Sequence, residues 1–371
     1  MLFSKKEIEE ERSFIRGQFL NMYSQEGFSI HFPLDLRIDY DPSLCFANCS
    51  ICHFKKGYFE GCVPLNYCVS QPALRTNTYR EIQSNRPLTY TASLEMLGAF
   101  TLSQANSIVD DLNTHFILQA EFLRSVLKEN EIKVVISPIL NDFLTSATIQ
   151  ILFNMKIVVV LNSTPICWRY GIDNIEGIGS NWLIYSKTQC CEFGNVIVLY
   201  KGDNYIGVES GGAIEAIIRI MHDFTHKIFA NTYCTDILFK KIISDKPYIL
   251  EYYDALDVIS NIACYYNDEN ALQLKPILER YVRTVKSYII LNELSDKDLI
   301  EDVFQIARCH YYWKECPDQL FEIIHKYLRE IWRVDVFIRN RIYKRKEYWR
   351  GFNNLEIEAL SKLIVNYKEL L

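Results

Sequence analysis

The sequence predicts an α+β fold, with an antiparallel sheet flanked by helices over residues 1–245 and an all-helical domain over 246–371. Three observations carry that prediction. Short β-rich runs fill the first part of the chain, at 28–32, 44–47, 66–75, 89–95, 133–138, 156–162, 182–186 and 195–200. Helical stretches interrupt them, but without the regular strand–helix alternation that builds a parallel sheet. After Gly211 the two-residue alternation stops and helical spacing takes over. At 371 residues the chain exceeds the usual reach of one core, so two domains are expected.

The elements follow in order. Ser4-Lys5-Lys6-Glu7 reads as a capping box, and Ile8, Phe14, Ile15, Phe19, Leu20 and Tyr23 recur near helical spacing up to Gly27. Runs 66–75 and 89–95 read as the two strands of a hairpin. A helix at roughly 101–129 separates that hairpin from Lys133-Val134-Val135-Ile136-Ser137. Ile157-Val158-Val159-Val160-Leu161, the longest apolar run, has the length of a buried strand. Helices are expected at 213–230, 253–266, 271–291, 298–313, 317–332 and 354–370, with Ser295-x-x-Asp298 as a second cap. The domain boundary is placed near 240–248, where Lys240-Lys241 leads to Lys246-Pro247.

Composition bounds the function. Hydrophobic content of 49% with 14 Gly and 10 Pro indicates a packed protein, and the net charge of −6 argues against a basic coat for nucleic acid. Residues 333–350 depart from that balance, with seven Lys or Arg against Asp335 and Glu347. Interleaved with Tyr343, Tyr348 and Trp349, this segment reads either as a contact for an RNA backbone or acidic carrier, or as a solvated helix face. Met1-Leu2-Phe3 passes directly into Ser-Lys-Lys-Glu without a secretory pattern, and no run approaches the ~20 apolar residues of a membrane span. The expectation is a cytoplasmic protein without a membrane partner. Its 12 cysteines are then reduced thiols and not a disulfide framework.

Four blocks carry a family resemblance. The first is Asp41-Pro42-Ser43-Leu44-Cys45-Phe46-Ala47-Asn48 with Phe54-Lys55-Lys56 and Phe59-Glu60-Gly61. The second pairs Gln71-x-x-Leu74-Arg75 with Glu95-Met96-Leu97-Gly98, read as a turn after the second hairpin strand. Glu192-x-x-Asn195-Val196-x-Val198 is the third, and Glu209-Ser210-Gly211-Gly212-Ala213-Ile214-Glu215 the fourth. In this order they resemble the catalytic core of alanyl-tRNA synthetases, a class II aminoacyl-tRNA synthetase family. Tyr233-x-Thr235-Asp236 and Ala255-Leu256-x-Val258-Ile259 extend the likeness weakly toward that family's helical mid domain.

The resemblance implies a class II synthetase-like sheet and an ATP-dependent ligase that activates an amino acid or related carboxylate. It implies ATP and Mg²⁺ as cofactors, and a homodimer as one expected assembly. Arg75 takes the α-phosphate position, where a planar guanidinium donates two parallel hydrogen bonds. Met96 and Gly211 fall at the nucleotide. Glu192 is the implied Mg²⁺ ligand, a hard oxygen for a hard cation. Asn195 is a nucleotide hydrogen-bonder that shares a strand face with Glu192 only if a bulge intervenes. Glu209 replaces the family's aspartate for the substrate amino group, and Trp182 walls the amino-acid side. Each of these residues also has a plain reading, as core filler, strand-edge polarity or a solvated hairpin arginine.

Departures from the family are equally specific. Its third motif ends in Glu-Arg, whereas this chain has Glu215-Ala216, and the Arg-His-His before the Glu-Met-Leu-Gly turn is replaced by Thr89-Tyr90-Thr91. Arg80 or Arg86 would have to supply the missing cation. The tRNA-reading motif survives only as Lys275–Arg283, so the acceptor is expected to be a small molecule, peptide or carrier protein as readily as tRNA. The alternative function is a synthetase paralogue without adenylation that binds a ligand, RNA or protein as an accessory subunit. Among competing motifs, Cys49-Ser50-Ile51-Cys52-His53 with Cys45, Cys62 and Cys68 leaves a structural zinc open, while haem attachment does not suit a reducing cytosol. Gly177-x-Gly179 lacks the context of a phosphate loop, and His222 with His226 reads as a surface pair.

Overall fold

The computed structural model describes residues 5–41, 44–84, 91–103, 107–224, 246–264, 271–295, 298–299 and 353–369, with Asp302, Glu322 and Lys326 individually. The elements run α1 (Lys5–Gln25), β1 (Ser29–Ile30), α2 (Cys52–Glu60), β2 (Asn66–Leu74), α3 (Thr78–Gln83), β3 (Ser93–Leu102) and α4 (Ile108–Leu127). There follow β4 (Ile132–Ile136), α5 (Pro138–Asn141), α6 (Ser146–Asn154), β5 (Ile157–Leu161), β6 (Cys167–Arg169), β7 (Glu176–Tyr185), β8 (Cys190–Lys201) and β9 (Asn204–Ala213). Described helices α7 (Ile214–Met221), α8 (Ile249–Cys264), α9 (Ala271–Asn292) and α10 (Asn354–Glu369) complete the order. The fold is α+β. The chain forms two compact units, one of residues 6–73 and 94–230, the other of 1–5, 74–93 and 231–371. Residues 74–93, from the middle of the expected first domain, thus group with the C-terminal helices.

The first unit is built on a nine-stranded, mostly antiparallel sheet of order β1-β2-β3-β9-β8-β7-β4-β5, with β6 paired to β7. Only β1 with β2 and β4 with β5 pair in parallel among the registers resolved. Helices α1 and α4 cover one face. Phe19 meets Phe122 edge-on at 5.2 Å, Phe122 lies 6.0 Å from Phe193, and Phe116 lies 5.7 Å from Trp182. Full burial of each such ring contributes about 1.5–3 kcal/mol. This face also carries a polar chain: Tyr23 Oη bonds Ser210 Oγ at 2.8 Å, Ser210 bonds His115 Nδ1 at 2.7 Å, and His115 Nε2 reaches Thr101 Oγ1 at 3.0 Å. Burial lowers the His115 pKa to about 3, so the imidazole stays neutral, with one donor and one acceptor nitrogen.

The opposite face is covered in part by α2 and β6. There Phe54, Tyr67, Phe100, Tyr170, Ile197 and Leu199 pack as one cluster. Ser50 lies on Gly98 so closely that a Cβ at 98 would sit 1.9 Å from Ser50 Oγ, and only glycine fits.

Several expected boundaries move. The strand expected at 89–95 begins at Ser93 and continues to Leu102, so Glu95-Met96-Leu97-Gly98 lies inside β3 and is not a turn. Gly98 is required within the strand because Ser50 sits against it. β7 starts at Glu176, six residues before its expected start at 182, and β9 is an entire strand among glycines. Run 44–47 forms only an isolated bridge, Arg37 with Phe46. Ser4 of the first capping box, most of the helices expected at 298–313 and 317–332, and the basic segment 333–350 lie outside the described residues.

In the second unit, α8 buries Tyr252, Tyr253, Leu256 and Ile259, and Tyr252 stacks on Tyr288 of α9 at 4.2 Å. The Ser295 cap forms as expected. Asp298 N donates to Ser295 Oγ (3.3 Å) while Ser295 N donates to Asp298 Oδ2 (2.9 Å). Asn353 and Glu356 make the same reciprocal pair at the start of α10. The 74–93 segment is held by Thr78 Oγ1 against Tyr281 Oη (2.8 Å), by Arg283 donating to Tyr79 Oη (2.9 Å), and by Ala92 N donating to Asp254 Oδ1 (3.0 Å). No described helix is long and apolar enough to cross a membrane.

Candidate functional site

The polar side chains that sequence analysis singled out on β8 are assembled by one irregularity. Opposite Trp182 stands Gly194, but opposite Leu183 stands Glu192, so Phe193 is an extra residue on β8. Such a bulge puts two residues against one and re-aims side chains. Phe193 turns to the α1/α4 face, where it meets Phe122. Glu192 and Asn195 consequently share the other face, with Asn195 Nδ2 3.4 Å from Glu192 Oε1. The same amide donates to Asn181 Oδ1 at 2.9 Å and to Ser180 O at 3.4 Å. Glu192 is exposed, and Asn195 and Asn181 are half-buried.

Strand register extends this group into a strip. Gly98, Gly211, Asn195 and Asn181 stand side by side on β3, β9, β8 and β7. One step along, Lys133 on β4 stands opposite Leu183, itself opposite Glu192. Lys133 is half-buried, its ammonium 5.0 Å from the Tyr185 ring. The carboxylate, two amides and ammonium span three strands, a width of roughly 10 Å at about 4.8 Å per strand. Met96 is buried two residues from Gly98 on this face, opposite Ala213. Gly211 has φ of +148°, and a Cβ there would meet Leu97 O at 2.0 Å, so the position requires glycine. Asn181 and Lys133 escaped sequence analysis, since only strand register places them beside Glu192.

The neighbouring row holds Glu209, between Phe100 on β3 and Ile197 on β8. Tyr170 donates its hydroxyl to Glu209 Oε2 at 2.8 Å. Burial, reinforced by the Glu209 charge, pushes the Tyr170 hydroxyl far above its ordinary value and keeps it a donor. Glu209 is thus a half-buried carboxylate among aromatic and aliphatic walls. The expected weak glycine signal has a packing cause here. Cβ atoms at Gly177 and Gly179 would lie 2.9 and 2.8 Å from the Tyr170 and Trp168 rings, which rest on the sheet at those positions.

Other expected members lie elsewhere. Trp182 does not wall this face: it points to the α1/α4 side, fully buried against Phe116. The pleat requires this, because Trp182 follows Asn181 by one residue. Glu95 of the Glu-Met-Leu-Gly block also points there, accepting from Arg12 Nη2 at 2.8 Å, Arg16 Nη2 at 2.9 Å and Ser70. Burial alone would raise the Glu95 carboxyl, but Arg12, Arg16 and Ser70 hold it down at about 2. Arg12 also donates to the buried Glu215 at 2.8 Å. Ala216, where the resemblance would place an arginine, is fully buried, and its carbonyl accepts from Cys191 Sγ at 3.5 Å. Arg75 is half-buried just beyond β2 and belongs to the helical unit, its N–H donating to Ala92 O at 2.8 Å.

Metal expectations find few ligands. Among the described residues no group of three or more His, Cys, Asp or Glu is placed to hold a metal ion. Cys52 is buried and His53 is held neutral by burial, its pKa lowered to about 4. His222 Nε2 donates to Glu11 Oε2 at 2.6 Å, while His226 lies outside the described residues. A cavity of about 770 Å³ opens elsewhere on the sheet unit, lined by Phe54, Tyr58, Val63, Leu102 and Ile206, and contains no expected site residue. Neither a protein-family model nor a curated protein matches the chain.

Proposed function

We propose that the face bearing Glu192, Asn195, Gly211 and Glu209 binds ATP and a small amino acid, and that the protein is an alanyl-tRNA synthetase-like ligase of class II character. The bulge at Phe193 carries this reading, because it satisfies the condition under which the resemblance joins Glu192 to Asn195. In the reaction, a substrate carboxylate oxygen attacks the α-phosphorus of ATP and the bond to the β-phosphate breaks, giving acyl-adenylate and pyrophosphate. An acceptor nucleophile then takes the acyl group and releases AMP.

The side chains divide that work. Glu209, steadied by Tyr170, pairs with the substrate ammonium, and the apolar wall beside it suits a short side chain. Asn195 and Asn181 offer amide donors and acceptors to the nucleotide. Lys133 supplies a cation on the row of Glu192. The exposed Glu192 carboxylate suits a Mg²⁺ that arrives with the triphosphate, since this ion commonly takes one or two protein carboxylates plus phosphate oxygens. Bound there, Mg²⁺ would neutralise phosphate charge. Buried Ala216 favours a second reading, an accessory protein that binds such a ligand without activating it.

Pyrophosphate exchange with Mg²⁺-ATP and pools of amino acids distinguishes these readings. Exchange is expected with one or a few small amino acids. Asn195→Ala should lower it at least tenfold, Glu209→Gln should act mainly through the amino-acid KM, and Arg75→Ala tests the α-phosphate role. ATP binding without exchange selects the accessory reading. Neither binding nor exchange, in a protein that remains folded, rejects both.

A further inference from the structure

Strand β5 ends the sheet and pairs only with β4 among the described residues. Its residues were expected to be buried, yet Val158, Val159, Val160 and Leu161 are 44, 36, 38 and 56% exposed. Side chains alternate between faces, so apolar atoms are exposed on both faces of the strand at this edge. Natural edge strands are usually blunted by a charge, a proline or a bulge. Ile157–Leu161 contains no charge and no proline, and its register with β4 is unbroken. An exposed apolar edge of this kind templates pairing with another strand.

The backbone fixes how a partner strand would bond. Asn162 N donates to Ile136 O at 2.8 Å, continuing the parallel ladder. Residues of this parity therefore bond toward β4, and Ile157, Val159 and Leu161 present their N–H and C=O groups to the open side. We infer that β5 pairs antiparallel with β5 of a second copy of this chain, about a twofold axis at Val159. Val159 then faces its twin, Ile157 faces Leu161, and Val158 faces Val160. Each outward-facing pair exchanges two backbone hydrogen bonds.

The observations favour a second copy because the strand offers the same chemistry read in either direction. In this register Lys156, the flanking charge, falls opposite Asn162 and not opposite another lysine, so no like charges meet. A twofold contact of this kind is self-complementary and closed, which ends growth at two copies. The inference is independent of the nucleotide reading.

The test uses the full chain. Light scattering after size exclusion, over a dilution series, is expected to give the mass of two copies at high concentration. Val159→Lys puts two like charges directly across the axis and should give monomers, with an unchanged circular dichroism spectrum because the site is exposed. Separately, Val158→Cys protein mixed with Val160→Cys protein is oxidised with glutathione disulfide. That pair is of the non-hydrogen-bonded type, with Cα atoms about 4.5 Å apart, within disulfide reach. The two introduced thiols lose two electrons and two protons to the oxidant, which leaves as two glutathione thiols. Peptide mapping should find them joined between copies. A full chain that stays monomeric overturns the inference, as does a dimer that survives Val159→Lys and yields no such cross-link. The cross-link also decides the matter should Val159→Lys fail to fold.

Discussion

At the scale of single residues, the chemistry on the sheet depends on positions where one atom more would not fit. Gly98 is the clearest case. Its missing Cβ is the space that Ser50 occupies, and Ser50 brings the segment before α2 onto the sheet beside Glu209. Gly98→Ala should cost about 1–3 kcal/mol in a urea titration, the usual range for overpacking a tight site. Adding Ser50→Gly should recover most of that loss, because the clashing Oγ and Cβ both belong to Ser50. If the double variant is no more stable than Gly98→Ala alone, the contact is not what makes glycine necessary there. Trp182 illustrates the opposite case. Its chemistry suited a ligand wall, but its parity on β7 assigned it to the core.

At the scale of elements, caps and bulges did more than propensity to define the boundaries. Ser295 and Asp298 satisfy each other's backbone amides at an exposed helix start, so their contribution is separable from packing. Ser295→Ala is expected to cost about 1 kcal/mol, the common value of an N-cap. Thermal unfolding with the substitution Ser295→Asp as control checks this, since Asp restores a capping acceptor. Strand β8 shows what a bulge contributes. In a regular strand, residues three apart point to opposite faces; with Phe193 inserted, Glu192 and Asn195 come within hydrogen-bonding distance.

For the whole molecule, each unit contains buried carboxylates, and they respond to pH in opposite directions. Glu95, in the sheet unit, is held at about 2 against an ordinary 4.5, so its stabilisation is complete above pH 4.5 and is lost as pH falls toward 2. Asp254, in the helical unit, is raised by burial to about 7 from 3.8, with Asp257 and Glu251 on α8 adding repulsion, while the Ala92 N–H and Thr78 favour its charge. The folded state binds this proton more tightly than the unfolded state does. Its contribution therefore falls as pH rises from about 4 to about 7 and is a constant cost above that. Urea melts at pH 4, 5.5 and 7.5 should show Asp254→Asn progressively more stable than the parent as pH rises. Glu95→Gln should be less stable than the parent at neutral pH, and the difference should shrink toward pH 2. Parallel curves for parent and variant at every pH would remove either group from this account.

The sequence by itself determined that the chain is α+β, where most strands and helices lie, the cap at Ser295, and that Glu192 and Asn195 could cooperate only across a bulge. Those features are local: periodicity, cap chemistry and spacing act within a few residues. Tertiary structure alone decided which face each β7 and β8 side chain occupies, because an inserted residue changes parity without leaving a mark in composition. It also decided that residues 74–93 group with the C-terminal helices, through Thr78, Tyr79 and Ala92. The run at 157–161 shows the limit most directly. A valine-rich strand reads the same whether neighbours cover it or not, and only its place at the end of the sheet left it exposed.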